Sequence, residues 1–245
     1  MKRLLLLLCL LLACCSPSRS GAWKVARDPN WFPNNFPGRE VEVTAFSDAL
    51  SHWIANEEGL RLELYPASWS HLQRDLSEGL VDGILTAFLP VGGAARVFDF
   101  SESYLATGPV LVVPKGSPIR GIEGLSGHEV GIVLGSSDLL LLSSVPDLLV
   151  THFGTFSDAV LACWRGEVEA VLIPALLAYT YTADFYADKL EVVTEPLGDR
   201  GLRLVTLKGK GERLIGYFNK GLKRAIESGT YEELRTEWHL GPVIN

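Results

Sequence analysis

Hydroxyl side chains follow predicted strands at two places in the chain, and both places suit the binding of a small molecule. Thr86 lies in the apolar run that begins at Ile84, and Ser136 and Ser137 follow the strand predicted over Val130–Leu134. In open α/β sheets, ligands bind beyond the carboxyl ends of the strands. Hydroxyls and backbone N–H groups at the start of a helix favour an anion. The sequence therefore predicts polar recognition of a small solute at these loops.

Aromatic side chains lie near the same strand ends. Trp31 lies in a proline-containing loop after the first predicted strand, and Trp69 opens a predicted helix. Phe88 and the adjacent Ala87 directly follow Thr86. Ligand pockets are commonly lined by such apolar and aromatic groups. A position in the lobe's own core would explain Trp31 equally well.

The two serines also have a purely structural explanation. Ser136 or Ser137 would act as the N-cap of a helix that begins near Asp138, by accepting a hydrogen bond from a backbone N–H group. A strand, a Gly-Ser-Ser turn and a helix are compatible with an N-cap and with an anion site. Both interpretations stay open at this point.

The sequence predicts no catalytic or metal-binding group. No Ser, His, Asp and Cys residues have the spacing of a catalytic triad or of a metal site. Cys163 lies in the apolar helical stretch Ala159–Trp164, which favours a buried thiol over a nucleophile. We therefore expect neither an enzymatic activity nor a cofactor.

Hydrophobic periodicity predicts the elements that position these residues. Amphipathic helices are predicted over Phe46–Gly59, Thr155–Gly166 and Leu214–Glu227, and strands over Val110–Val113 and Val168–Ile173. Strands that alternate with helices are typical of the α/β class. The length of 245 residues suffices for two modest lobes or one large domain.

The amino terminus has the pattern of an export signal. Lys2 and Arg3 precede the apolar run Leu4–Leu12, which is too short to span a membrane as a mature helix. Leu11-Leu12-Ala13-Cys14 has the form of a bacterial lipobox. We predict a signal peptide over 1–13, lipidation of Cys14 and a tether over 14–22. An ordinary signal peptide with incidental cysteines is the alternative.

Charge and cysteine content restrict the partners of the exported chain. The formal net charge is −7, and loss of Lys2 and Arg3 with the signal peptide makes it more negative. An acidic chain without a basic cluster is not expected to bind nucleic acid or an anionic membrane surface. Once the cysteines of the first 15 residues are set aside, Cys163 has no partner for a disulfide. The lipid would therefore be the membrane contact, on the periplasmic or extracellular side.

A second set of residues carries a resemblance to a known family. The spaced residues are Asp82, Asp99-Phe100-Ser101, Tyr104 and Gly108 with a following Leu-Val-Val strand, the helix Trp69-x-x-Leu-x-x-x-Leu-x-x-Gly79, and Gly229-Thr230-Tyr231. This pattern resembles the bacterial solute-binding proteins of family 3, the polar-amino-acid receptors of ABC importers. The resemblance runs from about Trp23 to Trp238.

The resemblance implies a fold, a mode of action and, at Trp31, Trp69, Thr86, Ala87 and Phe88, residues that line the cleft and contact the solute. It implies a two-lobe periplasmic-binding-protein (Venus-flytrap) fold of type II, with two crossing segments. The first lobe would comprise 23–109 plus 205–245, and the second lobe 110–204. Such a receptor is expected to be a monomer that closes its hinge around a small-molecule solute and then docks on an ABC transporter permease.

The same resemblance shows which anchors for an amino acid are missing. The family places an Arg twelve residues after the Asp and another Asp at the end of a second-lobe strand, but this chain has Ala94 and Pro174 there. Leu89 also replaces an expected hydroxyl. We therefore expect a solute with an acidic or hydrogen-bonding group and an apolar part.

Another arginine of the chain would take the place of the missing Arg in one alternative. Arg96, Arg200 or Arg203 would restore binding of a polar amino acid if one of them replaces the missing Arg. For Arg96, a solvated surface position is the competing explanation.

Other functions remain possible for the same fold. A lipoprotein that keeps the fold would contact proteins instead of a solute, and its cleft would be filled by Phe88, Leu89 and Trp69. A dehydratase-like enzyme is the less favoured alternative, because no carboxylate or His in a matched loop would supply acid/base chemistry.

Overall fold

A computed structural model of the chain describes residues 21–32, 34 and 36–241. The predicted signal peptide and most of the predicted tether, with Cys14, lie outside these residues. The described chain forms two separate sheets with helices packed around them. This arrangement confirms the predicted α/β class. None of the helices in the described ranges is both long and apolar enough to cross a membrane.

The secondary structure follows the chain in this order. The strands are β1 (Trp23–Arg27), β2 (Leu62–Pro66), β3 (Gly83–Thr86), β4 (Phe98–Phe100), β5 (Leu105–Ala106), β6 (Pro109–Pro114), β7 (Glu129–Val133), β8 (Leu149–Phe153), β9 (Ala170–Pro174), β10 (Leu190–Val192) and β11 (Gly201–Leu207). The α-helices are α1 (Glu40–Glu57), α2 (Trp69–Ser77), α3 (Ala94–Val97), α4 (Phe156–Arg165), α5 (Ala175–Thr180), α6 (Glu212–Glu227) and α7 (Thr230–Glu237). Short 3₁₀ helices cover Ile122–Leu125 and Ser137–Leu142, and a π-helical turn covers Tyr181–Phe185.

The first sheet has the strand order β2-β1-β3-β11-β4, with β5 also paired to β11. β1 runs parallel to β2 and β3, and β11 runs antiparallel to β3 and β4. The carboxyl ends of β1, β2 and β3 therefore lie at one edge of the sheet. The loops that leave this edge carry Trp31, Trp69 and Phe88.

The second sheet has the strand order β10-β6-β9-β7-β8. β7 runs parallel to β8 and β9, so the carboxyl ends of these three strands also share one edge. Ser136, Thr155 and Pro174 lie at or just beyond this edge. Each sheet thus presents a row of loops of the kind that binds ligands in α/β proteins.

Two chain segments that lie side by side connect the sheets. The first runs from β5 into β6, and the second runs from β10 into β11. The Thr107 N–H donates to the Arg200 carbonyl at 2.9 Å, and the Leu197 N–H donates to the Pro109 carbonyl at 2.8 Å. The strand of the first sheet that follows the second crossing begins at Gly201.

Helix α1 begins earlier than its sequence predicts. The predicted start at Phe46 is wrong, because the helix already begins at Glu40. The Ser47 hydroxyl donates to the Val43 carbonyl within this helix at 2.7 Å. The Asp48 carboxylate accepts two hydrogen bonds from the Arg27 guanidinium of β1, at 2.5 and 2.6 Å.

Helix α4 has the caps that its sequence predicts. The Thr155 hydroxyl accepts a hydrogen bond from the Asp158 N–H at 3.1 Å, and Gly166 ends the helix in the left-handed conformation. Cys163 lies on the buried face of this helix, and burial raises the pKa of its thiol to about 12. The structure thus confirms a buried thiol that is poorly suited to act as a nucleophile.

Several residues that carry the family resemblance hold the first sheet together. Asp82 accepts a hydrogen bond from the Lys24 N–H of β1 at 2.8 Å. Asp99 accepts hydrogen bonds from the Lys208 ammonium and the Gly209 N–H, which lower the pKa of its carboxyl. These aspartates therefore connect neighbouring segments of the first lobe.

Candidate functional site

A cavity of about 820 Å³ lies between the two lobes. Its wall combines the loop after β1, the two crossing segments and the carboxyl-terminal edge of the second sheet. The polar residues that line it are Asn34, Arg39, Thr107, Thr155, Ser157, Thr180, Tyr181 and Arg200. Phe36, Pro174, Leu176 and Leu177 supply apolar surface. The volume lies within the range of small-molecule sites in proteins.

A chain of polar contacts forms one side of this cavity at the crossing segments. The Asn34 amide donates to the Thr107 hydroxyl at 3.3 Å, and the Thr107 N–H donates to the Arg200 carbonyl. The Arg200 guanidinium donates through Nη2 to the carboxylate of Asp138 in the second lobe. Both crossing segments and both lobes therefore contribute to one group of hydrogen-bonded residues, which we call the crossing site (Asn34, Thr107, Arg200 and Asp138).

Asp138 is the buried member of the crossing site. Its side chain is 3% exposed, whereas that of Arg200 is 32% exposed. The Asp138 N–H donates to the Ser136 hydroxyl at 3.0 Å at the start of the 3₁₀ helix. Of the two interpretations of Ser136, the structure thus shows the N-cap, and the cap fixes the position of the carboxylate that binds Arg200.

Arg39 links the lobes at another side of the cavity. Its Nη1 donates to the Thr180 hydroxyl of the second lobe at 3.0 Å, and its Nη2 donates to the His239 carbonyl at 2.5 Å. Its Nε lies 3.9 Å from the Glu42 carboxylate. The guanidinium is therefore engaged with protein groups from the carboxyl-terminal segment and from both lobes.

Trp31 lies in the core of the first lobe, not at the cavity. Its side chain is 0% exposed, and its indole N–H donates to the Thr44 hydroxyl at 3.1 Å. The backbone takes a positive φ of 55° at this residue, and the ring belongs to the buried cluster that contains Phe36 and Phe46. Of the two positions considered for Trp31, the structure thus shows the one in the core of its own lobe.

Phe32 provides the exposed aromatic side chain of the same loop. It is 43% exposed, and its ring centroid lies 5.1 Å from that of Trp69. The Trp69 ring packs in turn against Phe88 at 6.2 Å, and Phe88 contacts Phe98 and Phe100. Phe32, Trp69 and Phe88 thus form an aromatic wall on the first lobe, of which the sequence predicted the last two members.

The remaining predicted site residues do not line the cavity. Thr86 and Ala87 are buried, and the Thr86 hydroxyl accepts a hydrogen bond from the Phe88 N–H at 3.2 Å. Arg96 is exposed on the short helix α3, and Ser137 is exposed at the start of its 3₁₀ helix. Their role as solute contacts, like that of Ser136, Trp69 and Phe88, stays a prediction.

The described residues that line the cavity provide many donors and no carboxylate. Arg39 and Arg200 carry the guanidinium groups, and neither Asp nor Glu is among these lining residues. Pro174 lies in the wall. Arg203 lies elsewhere: it donates to the Asp199 carbonyl at 3.0 Å, and burial lowers its pKa. Such a wall favours a solute with an anionic or acceptor group.

Sequence reasoning missed Asn34, Thr107 and Thr155 as cavity residues. The available signal was positional, because Thr155 follows β8 at the same sheet edge as Ser136. Asn34 and Thr107 carry no comparable signal, since only the folded chain brings their segments together.

Comparison with known proteins identifies the family and the fold. The model of the bacterial extracellular solute-binding proteins, family 3, matches residues 23–241. The arginine-binding extracellular protein ArtP of Bacillus subtilis is 26% identical over 232 residues, which cover 92% of this chain and 90% of ArtP. The L-cystine-binding protein TcyJ of Escherichia coli is 23% identical over 221 residues, covering 89% of this chain and 82% of TcyJ.

A solved structure agrees with this match. The L-cystine solute receptor of Neisseria gonorrhoeae, in its unliganded open conformation, superposes with a TM-score of 0.71 at 18% identity, covering 92% of this chain and 95% of the receptor. This similarity confirms the predicted two-lobe, Venus-flytrap fold. From the family model and the fold together, the chain belongs to the bacterial extracellular solute-binding proteins, family 3.

Proposed function

We propose that this protein is the extracytoplasmic receptor of an ABC importer and captures an amino acid or a related small carboxylate by hinge closure. The relatives ArtP and TcyJ are described as binding arginine and L-cystine. The observation that carries the proposal is the cavity of about 820 Å³, whose walls come from both lobes. A solute that contacts both lobes stabilises the closed form over the open form. A permease would then recognise the closed, monomeric receptor.

The chemistry of the cavity favours the carboxylate over the ammonium of an amino acid. Arg39 and Arg200 lie among the lining groups with several hydroxyls, and the described lining contains no acidic side chain. Ala94 and Pro174 also stand where the family resemblance leads us to expect charged anchors. An α-ammonium would therefore lose its hydration without gaining a charged partner. A 2-hydroxy acid would avoid this cost.

A thermal-shift screen of matched solutes tests this function. The panel contains the twenty amino acids, the 2-hydroxy acids with the same side chains, and the amides of those hydroxy acids. At a concentration of about 100 Kd, a bound solute adds about 2.7 kcal/mol to the free energy of unfolding. We expect a hydroxy acid to raise Tm by roughly 5–10 °C, from about 2–4 °C per kcal/mol in chains of this size.

The same screen contains the results that would contradict the preference for a hydroxy acid and the receptor role itself. Strong shifts with arginine, glutamine or histidine and none with hydroxy acids would show that an ordinary amino acid is preferred. Failure of every member of the panel would count against the receptor role.

We also propose that Cys14 anchors the exported receptor to the membrane. The family consists of extracellular proteins, and a Cys directly follows the small residue at the end of the apolar leader. Cys14→Ser is expected to abolish incorporation of labelled palmitate and to release the protein from the membrane fraction. Cys15→Ser is the matched control and should keep both properties. Lipid labelling that survives Cys14→Ser would contradict the anchor.

Two other functions have less support. The family is described as binding solutes rather than catalysing reactions. The described lining of the cavity contains no carboxylate or His that would act as the acid or base of a dehydratase. A role limited to protein contacts would suit a filled cleft, whereas this cavity is open. Solute capture therefore remains the proposal.

A further inference from the structure

We propose that the carboxylate of the solute binds at the crossing site, with Arg200 as the residue that determines specificity for an anionic group. This inference rests on the proposed function and names the chemical group that the cavity recognises. It places the anion on the segments that connect the lobes, rather than on the loop after β3 where Ala94 has lost the guanidinium.

Arg200 is accessible and held in place at the same time. Its side chain lines the cavity and is about one-third exposed. Its bond to Asp138 comes from Nη2, and a guanidinium carries five N–H donors in a fixed plane. The other donors of this plane would form a paired hydrogen bond with a carboxylate, which is the arrangement that Arg favours over Lys.

Asp138 orients the guanidinium and does not itself contact the solute. Its carboxylate is nearly inaccessible, and the Ser136 hydroxyl caps its backbone N–H. A solute carboxylate that displaced Asp138 from Arg200 would leave a buried charge without a partner, which is costly. The solute is therefore expected to bind the exposed side of Arg200 while the Asp138 pair persists.

Asn34 and Thr107 add polar groups beside Arg200. Both line the cavity, and their side chains are bonded to each other. Asn34 belongs to the first lobe, Thr107 and Arg200 lie on the two crossing segments, and Asp138 belongs to the second lobe. An anion bound here would touch the groups that connect the lobes, so its binding is suited to favour hinge closure.

The other arginines near the lobes are less suitable anchors. Arg39 already donates to Thr180 and to the His239 carbonyl. Arg96 is exposed on α3, and Arg203 donates to the Asp199 carbonyl. Among the described residues that line the cavity, two carry a guanidinium group. The side chain of Arg200 is 32% exposed and that of Arg39 is 16% exposed.

The test measures affinity by calorimetry for the panel member that binds the wild-type protein most tightly, and for the amide of that solute. Arg200→Gln is expected to weaken carboxylate binding by about 30-fold or more, as loss of a desolvated charged hydrogen bond does. Arg200→Lys should restore little of it, because Lys lacks the planar pair of donors. Arg203→Gln, the matched control, should stay within about threefold of wild type.

A second variant protects the test against a general loss of structure. Arg200→Gln combined with Asp138→Asn removes both charges and leaves no buried carboxylate unpaired. In this variant the preference for the carboxylate over its amide should disappear, whereas mere structural damage would lower both affinities equally and keep the preference. Equal weakening of both, or unchanged affinity, would overturn the inference and leave the proposed function standing. A wild-type protein that binds no member of the panel would contradict the function, and the inference with it.

Discussion

Replacement of Trp31 by alanine is expected to lower the free energy of unfolding by about 3–5 kcal/mol, the range for removal of a large buried aromatic side chain. The indole is 0% exposed and donates to the Thr44 hydroxyl, so the substitution leaves a void and an unpaired acceptor. Urea unfolding followed by tryptophan fluorescence and circular dichroism measures the change. The folded fraction of the Trp31→Ala protein should bind the solute with nearly the wild-type affinity.

Phe32 provides the matched control for Trp31. Phe32→Ala removes a half-exposed ring that packs on Trp69 and is expected to cost about 1 kcal/mol of stability or less. If the aromatic wall holds the apolar part of the solute, this variant should lose more affinity than Trp31→Ala. A Trp31→Ala protein with unchanged stability and weakened binding would show that Trp31 faces the solute instead.

Gly108→Ala is expected to damage both stability and solute binding. A Cβ atom at residue 108 would lie 2.0 Å from the Leu197 carbonyl oxygen and 3.1 Å from its carbon. These are backbone atoms of the other crossing segment, so they cannot move aside as a flexible side chain would. The two segments must separate, which strains the bond between the Leu197 N–H and the Pro109 carbonyl.

The expected cost of this substitution is about 3 kcal/mol, the upper end for overpacking. Separation of the segments would also displace Thr107 and Arg200, so we expect solute affinity to fall as well. Gly216→Ala is the matched control, because its Cβ meets nothing within 4 Å on the exposed side of α6. It should raise stability by roughly 0.5–1 kcal/mol through helix propensity. A Gly108→Ala protein that matches wild type in urea unfolding and in calorimetry would contradict the packing of the crossing segments.

The fold was predictable because most elements have a strong local pattern. α4 has an apolar face between a Thr that accepts a backbone hydrogen bond and a Gly in the left-handed conformation. α6 repeats buried residues at Leu214, Phe218 and Leu222, which is the spacing of one helix face. These signals lie within single segments, so the sequence alone indicates them.

The start of α1 was not predictable by the same means. Its first residues alternate glutamate with valine, which has the period of a strand as much as that of a helix. Val43 and Phe46 are buried against the rest of the lobe, and this packing favours a helix over a strand at these residues. The Ser47 hydroxyl donates within the helix and accepts a hydrogen bond from the Tyr104 hydroxyl at 3.1 Å.

The candidate site was predictable only in part. The ends of the predicted strands indicated the two sheet edges, and an unusual solute, expected from Ala94 and Pro174 through the family resemblance, stays a prediction. The crossing site combines residues that lie 73 positions apart, as Asn34 and Thr107, and 62 apart, as Asp138 and Arg200. No local pattern connects such residues. The burial of Trp31, at a residue with a positive φ, likewise has no signal in the periodicity of the sequence.

The position of a bound solute tests the central claim most directly. A crystal structure of the protein with the tightest-binding member of the panel should show the solute between the lobes, with its carboxylate within hydrogen-bonding distance of the Arg200 guanidinium. The lobes should lie closer together than in crystals grown without solute. A solute bound outside the cavity, or lobes that keep the same separation at full occupancy, would contradict the account.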